Sequence, residues 1–133
     1  MARLTNGQIR HLAGLMDERF ARELDEINAV AARARDERRQ EALAGRPAEQ
    51  LDAVLAEITQ AADYAVVRQD AQDVRDIIAA RKRVAAGAYG VCIDCGKAIT
   101  YERMLAYPTA KRCIGCQREH EQQRAVREGR RAP

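Results

Sequence analysis

Between Thr5 and Ala44 the apolar residues return every three or four positions: Ile9, Leu12, Met16, Phe20, Leu24, Ile27, Ala31 and Ala34. This spacing predicts a long amphipathic helix, since a half-buried strand would alternate with period two. Arg19, Glu23, Glu26, Arg33 and Glu37 fall outside the stripe. Thr5 or Asn6 is the expected N-cap. At "AGRPAEQ", Gly45 suits a helix end and Pro47 the first turn of a new helix, so a tight turn is expected near 45–48. A single helix kinked at Pro47 is the alternative.

A second stripe runs from about Pro47 to Ala86 through Leu51, Leu55, Ile58, Ala62, Val66, Val74, Ile77 or Ile78, and Val84. Its phase slips near Ala65–Val67, and Asp70 sits close to the seam. Two stripes of similar length joined by a short turn can bury their faces against each other. The expected fold is therefore dominated by α-helix, with a long antiparallel hairpin, coiled-coil in character, whose arms span roughly 50–60 Å at about 1.5 Å per residue. Residues 1–88 form this hairpin and its N-terminal segment. Residues 89–133 form a separate small lobe with a terminal helix after Cys113.

That lobe holds the chain's chemistry. All four cysteines fall between Cys92 and Cys116, as Cys92-x2-Cys95, a 17-residue gap, and Cys113-x2-Cys116. The spacing fits a four-thiolate zinc site, with Gly96 supplying the permissive backbone of a knuckle turn. Four sulfur ligands leave no position for water, so such a site is structural. Nearby His120 is superfluous as a ligand. Disulfides would close only very small loops, and a thioredoxin-type motif would need a βαβ setting that the pattern lacks. The lobe's own apolar residues are few: Val91, Ile93, Ile99, Met104 and Leu105. Metal binding is therefore expected to supply much of its folding free energy.

Composition narrows the function. The 133 residues include no Trp and one Phe, which leaves no stacking platform for single-stranded nucleic acid. They include no Ser, only His11 and His120, and no phosphate-cradling glycine loop, so an enzyme is not expected. The net charge is +3, with a basic excess in "REHEQQRAVREGRRAP". The first ten residues carry no secretory apolar run, and no segment is long and apolar enough to span a membrane. A cytoplasmic protein without membrane contact is expected. In a reducing compartment, paired cysteines are metal ligands before they are disulfides.

The stretch from Gly87 to Glu121, "GAYGVCIDCGKAITYERMLAYPTAKRCIGCQREHE", resembles the finger of the DksA/TraR family of bacterial transcription regulators. Tyr89-Gly90, Cys92, Cys95-Gly96, Ile99, Arg103, Ala106, Pro108-Thr109-Ala110, Cys113 and Cys116-Gln117 carry the resemblance. Met104 stands where the family commonly has Leu. The resemblance implies one zinc held by Cys92, Cys95, Cys113 and Cys116. It also implies a protein that binds RNA polymerase without reading DNA. The hairpin would enter the secondary channel, acids at its tip would act near the active site, and the finger would dock on the channel rim. The stability of open complexes would change as a result.

The family tip reads DxxDxA. Counted without gaps from Cys92, it falls on "EQLDAV": Asp52 matches the second Asp, Glu49 replaces the first, and Val54 replaces the Ala. "QAADYA", with Asp63 and Ala65, is the alternative. Acids there also favour a helix's first turns through the macrodipole. Relatives that bind ppGpp use basic residues at positions matching Asp76, Tyr107 and Gln117, where the basic character is missing; Arg81, Lys82 and Arg83 are close but do not match. Weak or absent ppGpp dependence follows. A monomer is expected. The competing readings are a zinc-finger DNA-binding protein and a coiled-coil adaptor.

Overall fold

The computed structural model describes residues 2–34, 51–52 and 64–131. They form four long or short helices: α1 (Asn6–Ala34), α2 (Tyr64–Ala85), α3 (Tyr101–Ala106) and α4 (Ile114–Arg131). Among the described residues the extended pairing is an isolated antiparallel bridge, Val91 to Ala98. The chain divides into two compact units, Met1–Ala13 with Ala80–Pro133, and Gly14–Ala79.

α1 starts as its sequence predicts. Thr5 Oγ1 accepts from the Gln8 N–H at 3.1 Å, and Gln8 Oε1 accepts from the Thr5 N–H at 2.9 Å. This reciprocal capping box satisfies two donors that a bare helix start would leave open. α2 ends just as definitely. Gly87 adopts φ +73, the Ala88 N–H reaches the Arg83 carbonyl at 2.8 Å, and the Gly87 N–H reaches Val84 at 3.1 Å. That pair of bonds is a Schellman closure, which needs a residue content with positive φ.

In the unit Gly14–Ala79, α1 and α2 bury their stripes in one cluster. Leu24, Ile27, Val30 and Ala31 meet Val67, Ala71 and Val74, with Phe20 and Ile78 packed at its margin. The predicted α1 stripe is therefore present, with Val30 added. On α2 the buried sequence is Val67, Ala71, Val74, Ile77 and Ala80, so Val67 takes a seam position. The helices run antiparallel: Arg19 at the middle of α1 grips Asp73, donating from Nε to Oδ2 at 3.1 Å and from Nη2 to Oδ1, while Glu26, further along α1, meets Asp70, earlier on α2.

Leu51 and Asp52 do not lie on a straight extension of α2. Leu51 belongs to the buried cluster of α1 and α2, and Asp52 meets Arg75 at 2.6 Å. Two residues 23 positions apart on a straight helix would stand about 35 Å apart. The apolar stripe from Leu51 onward reads as a single element, and periodicity alone does not say what Leu51 packs against. The turn expected at Gly45–Pro47 lies outside the described residues, as do Glu49, Val54 and Asp63.

The other unit has a small core of its own. Tyr89, Cys92, Ile99, Met104 and Ala110 are buried there, as are Leu12 and Ala80. Ile93 and Leu105, expected to contribute apolar mass, are instead 51% and 41% exposed. The N-terminal segment supplies part of what they do not: a Cβ on Gly90 would stand 2.6 Å from Leu4 Cδ1, so Leu4 lies directly on the glycine. Arg3 Nη2 donates to the Gly87 carbonyl at 3.1 Å. No helix among the described residues is long and apolar enough to cross a membrane.

Candidate metal centre

The first knuckle is set by backbone. The Gly96 N–H returns to the Cys92 carbonyl at 3.0 Å, and the Cys92 N–H bonds the Lys97 carbonyl at 2.8 Å. Closing so tight a loop requires Gly96 at φ +75, which an L side chain rarely adopts. The Val91–Ala98 bridge brackets the loop. The second knuckle is set by a helix. Cys113 precedes α4 and its carbonyl accepts from the Gln117 N–H at 2.9 Å, while Cys116 sits within the first turn. Residues three apart share a helix face, so both sulfurs point the same way, at the end where the macrodipole favours thiolate.

Two cross-links join the knuckles. The Ile93 N–H donates to the Lys111 carbonyl at 2.9 Å, and Arg112 Nε donates to Asp94 Oδ2 at 2.8 Å. Behind them, Arg103 Nε holds the Arg112 carbonyl at 3.0 Å. α3 is capped by Thr100, which accepts from the Arg103 N–H. Tyr89 Oη donates to the Pro108 carbonyl at 2.7 Å and fixes the Pro108–Ala110 segment. Burial pushes the Tyr89 hydroxyl up to about 12, against the pull of Arg83, so it stays a donor.

The outcome is four sulfurs within 4.8 Å of one another, and among the described residues this is the one group of potential ligands so arranged. Cys95 Sγ and Cys113 Sγ are 3.8 Å apart. Sulfurs bound about 2.3 Å from one zinc at tetrahedral angles also stand ~3.8 Å apart, whereas a disulfide needs about 2.05 Å. All four cysteines are free thiols. Their proton affinities diverge. Burial raises Cys92, but N–H donation from Cys95, Cys113 and Asp94 outweighs it and holds the thiol down at about 6. Hydrogen bonds with Cys113 and Cys92 push Cys116 up to about 12. Thiols crowded this closely must divide their protons unequally, and a soft divalent cation bound by thiolates removes the conflict. The donor set fits one structural zinc ion, which would tie the two knuckles together.

The sequence reading named the four cysteines but not the groups that aim them. Asp94 immediately precedes Cys95 and Arg112 immediately precedes Cys113, so opposite charges beside the two inner cysteines were the available signal. Tyr89 and Arg103 were quoted only as matching positions, with no role attached. His120 is not among the converging ligands. Of the proposed tip acids, Asp52 is described: its side chain is 77% exposed and pairs with Arg75. Of the positions weighed for ppGpp, Asp76 accepts from Gln72 at 3.0 Å, Gln117 donates to Glu121 at 3.1 Å, and Tyr107 is 51% exposed.

Comparison with known proteins agrees with this geometry. Residues 87–122 match the family described as the prokaryotic dksA/traR C4-type zinc finger. The fold is similar to that of a solved structure, the transcription factor DksA2 from Pseudomonas aeruginosa, with a TM-score of 0.63 at 21% identity, over 90% of this chain and 88% of that one. No curated protein matches the chain. The chain thus carries a segment similar to the dksA/traR zinc finger at residues 87–122, on a fold similar to that of DksA2.

Proposed function

We propose that the protein is a transcription regulator that binds bacterial RNA polymerase through its secondary channel and changes the stability of open complexes without binding DNA. The observation that carries this is the dksA/traR finger at 87–122, with its four thiols drawn together. The α1–α2 pair supports it by supplying a helical element of the kind such a regulator inserts. Asp52 is the acid we assign to the polymerase active centre, with Glu49 beside it in sequence and Asp63 as the alternative. Cys92, Cys95, Cys113 and Cys116 are the zinc ligands. Residues 1–88 act as the inserting part, and 89–133 as the docking part. The protein works in the cytoplasm, as a monomer, by binding and not by catalysis. ppGpp contributes little, because Asp76, Tyr107 and Gln117 offer it no cation.

The test is binding of the zinc-loaded protein to RNA polymerase in the absence of DNA, read together with open-complex lifetime. The native protein should bind and shorten the lifetime. Asp52→Asn should bind equally and leave the lifetime unchanged. If neither protein binds, the polymerase reading is wrong. DNA affinity that falls steeply with salt would put the DNA-binding reading in its place.

A further inference from the structure

Asp52 and Arg75 belong to segments that a continuous helical arm would keep far apart. Their side chains meet, with Arg75 Nη2 donating to Asp52 Oδ1 at 2.6 Å. The residue beside Asp52 is anchored more deeply. Leu51 is 1% exposed, in the same cluster as Ile27 and Val30 of α1 and Val67 and Val74 of α2. Residues 51–52 thus lie back along the helix pair, inside the unit Gly14–Ala79. Asp52 presents its carboxylate to the protein's own guanidinium.

We infer that this is an autoinhibitory contact: the Leu51 socket and Arg75 hold Asp52 against α2, and the acid acts on its partner only after residues 51–52 leave. The inference rests on the proposed role of Asp52. A carboxylate that accepts from a guanidinium has its charge compensated there, so Asp52 is already paired within its own chain. The two halves of the contact differ in kind. The side chains of Arg75 and Asp52 are 42% and 77% exposed, so their attraction is screened by water and salt. Leu51 is dry and supplies most of the hold. A weak polar catch over a modest apolar anchor is releasable, and a partner that binds the released form shifts the population toward it.

The experiment measures hydrogen exchange at the Leu51 and Asp52 amides, together with the concentration of protein that half-maximally shortens open-complex lifetime. The chains compared are native protein, Arg75→Ala, Arg75→Gln, Asp52→Asn and the Arg75→Ala/Asp52→Asn double variant. Loss of an exposed ion pair predicts exchange about two- to fivefold faster in both Arg75 variants, with the half-maximal concentration lowered by a similar factor. The double variant should be inactive, and salt should narrow the gap between native protein and Arg75→Ala. Unchanged exchange in both Arg75 variants overturns the inference, whatever the polymerase assay gives. Faster exchange without a gain in potency, while Asp52→Asn is inactive, leaves the polymerase reading standing and overturns inhibition. Full activity of Asp52→Asn removes both the tip assignment and the inhibition built on it.

Discussion

The finger and the α1–α2 pair solve the same problem with different materials. The helix pair has apolar residues to spend, and it orders itself around Leu24, Ile27, Val30, Val67 and Val74. The finger has few, and leaves Ile93 and Leu105 substantially in water. Its order comes from directed contacts: positive-φ glycines, the Tyr89–Pro108 and Arg103–Arg112 bonds, and four convergent thiols. Buried polar groups also mean opposite things in the two regions. In the finger each has a partner that fixes a loop. In the helix pair, Glu23 Oε2 and Asp70 Oδ2 are buried with no hydrogen-bond partner, in a seam that carries acid against acid. One region is built to hold a metal, while the other tolerates a polar defect because its apolar area is sufficient.

The sharpest break in this comparison is removal of the metal. Structural zinc contributes apparent binding free energies of about 10–16 kcal/mol in small fingers. A strong chelator should therefore unfold the finger and leave the α1–α2 pair helical. The check is amide spectra: signals of Tyr89–Gln117 should collapse while those of Arg19–Val30 and Val67–Ile77 persist. Simultaneous loss of both sets would mean that the helix pair depends on the metal. Cys92→Ser should give a milder form of the same result.

Next in size is Ile27→Ala. Ile27 is 0% exposed, and truncating such a residue costs about 2–5 kcal/mol. The thermal midpoint of the helix pair should fall sharply, with zinc content unchanged at one ion per chain. Gly90→Ala strikes the finger by a different route. It places a Cβ against Leu4 and puts an alanine at φ +79, at a cost of about 1–3 kcal/mol. Adding Leu4→Ala should recover the part due to the clash and none of the part due to φ. Full recovery would show that backbone conformation contributes nothing there.

How far each region was legible in the sequence follows from the same contrast. Cysteine spacing is a local signal with a specific cause, so Cys92, Cys95, Cys113 and Cys116 could be named as a set before any coordinates. The capping box at Thr5 and Gln8 is equally local. The stripe on α1 was legible because period fixes a helix face. Period does not fix which residues a buried position meets, so Leu51 was read as part of a long straight arm when it packs among α1 and α2. Asp70 was noticed near the seam, but Glu23 was assigned to the outer face. A buried acid has no sequence signature of its own; it needs the partner helix, and Asp73 supplied that only in three dimensions.

That acidic seam makes the last and smallest prediction. Glu23 is pushed up to about 8, first by burial and then by the hydrogen bond and repulsion from Asp73, with repulsion from Asp70 added and Arg19 pulling the other way. Asp70 is pushed up to about 6 by burial and by its contact with Glu26, with Asp73 adding to it and Arg22 opposing it. A carboxyl whose folded value lies above its unfolded value holds a proton that the unfolded chain has released. Stability from that proton is fully present below the unfolded value and is lost as pH rises to the folded one. For Asp70 the window runs from about 4 to about 6, and for Glu23 from about 4.5 to about 8. The helix pair should therefore weaken as pH rises through these ranges. Glu23→Gln keeps a neutral partner for Asp73 and removes the titration. Its melting temperature should match the native value near pH 4.5, exceed it at pH 8, and lack the loss between pH 6 and 8. An undiminished slope in that variant would place the titrating group elsewhere than in the Glu23–Asp73 pair.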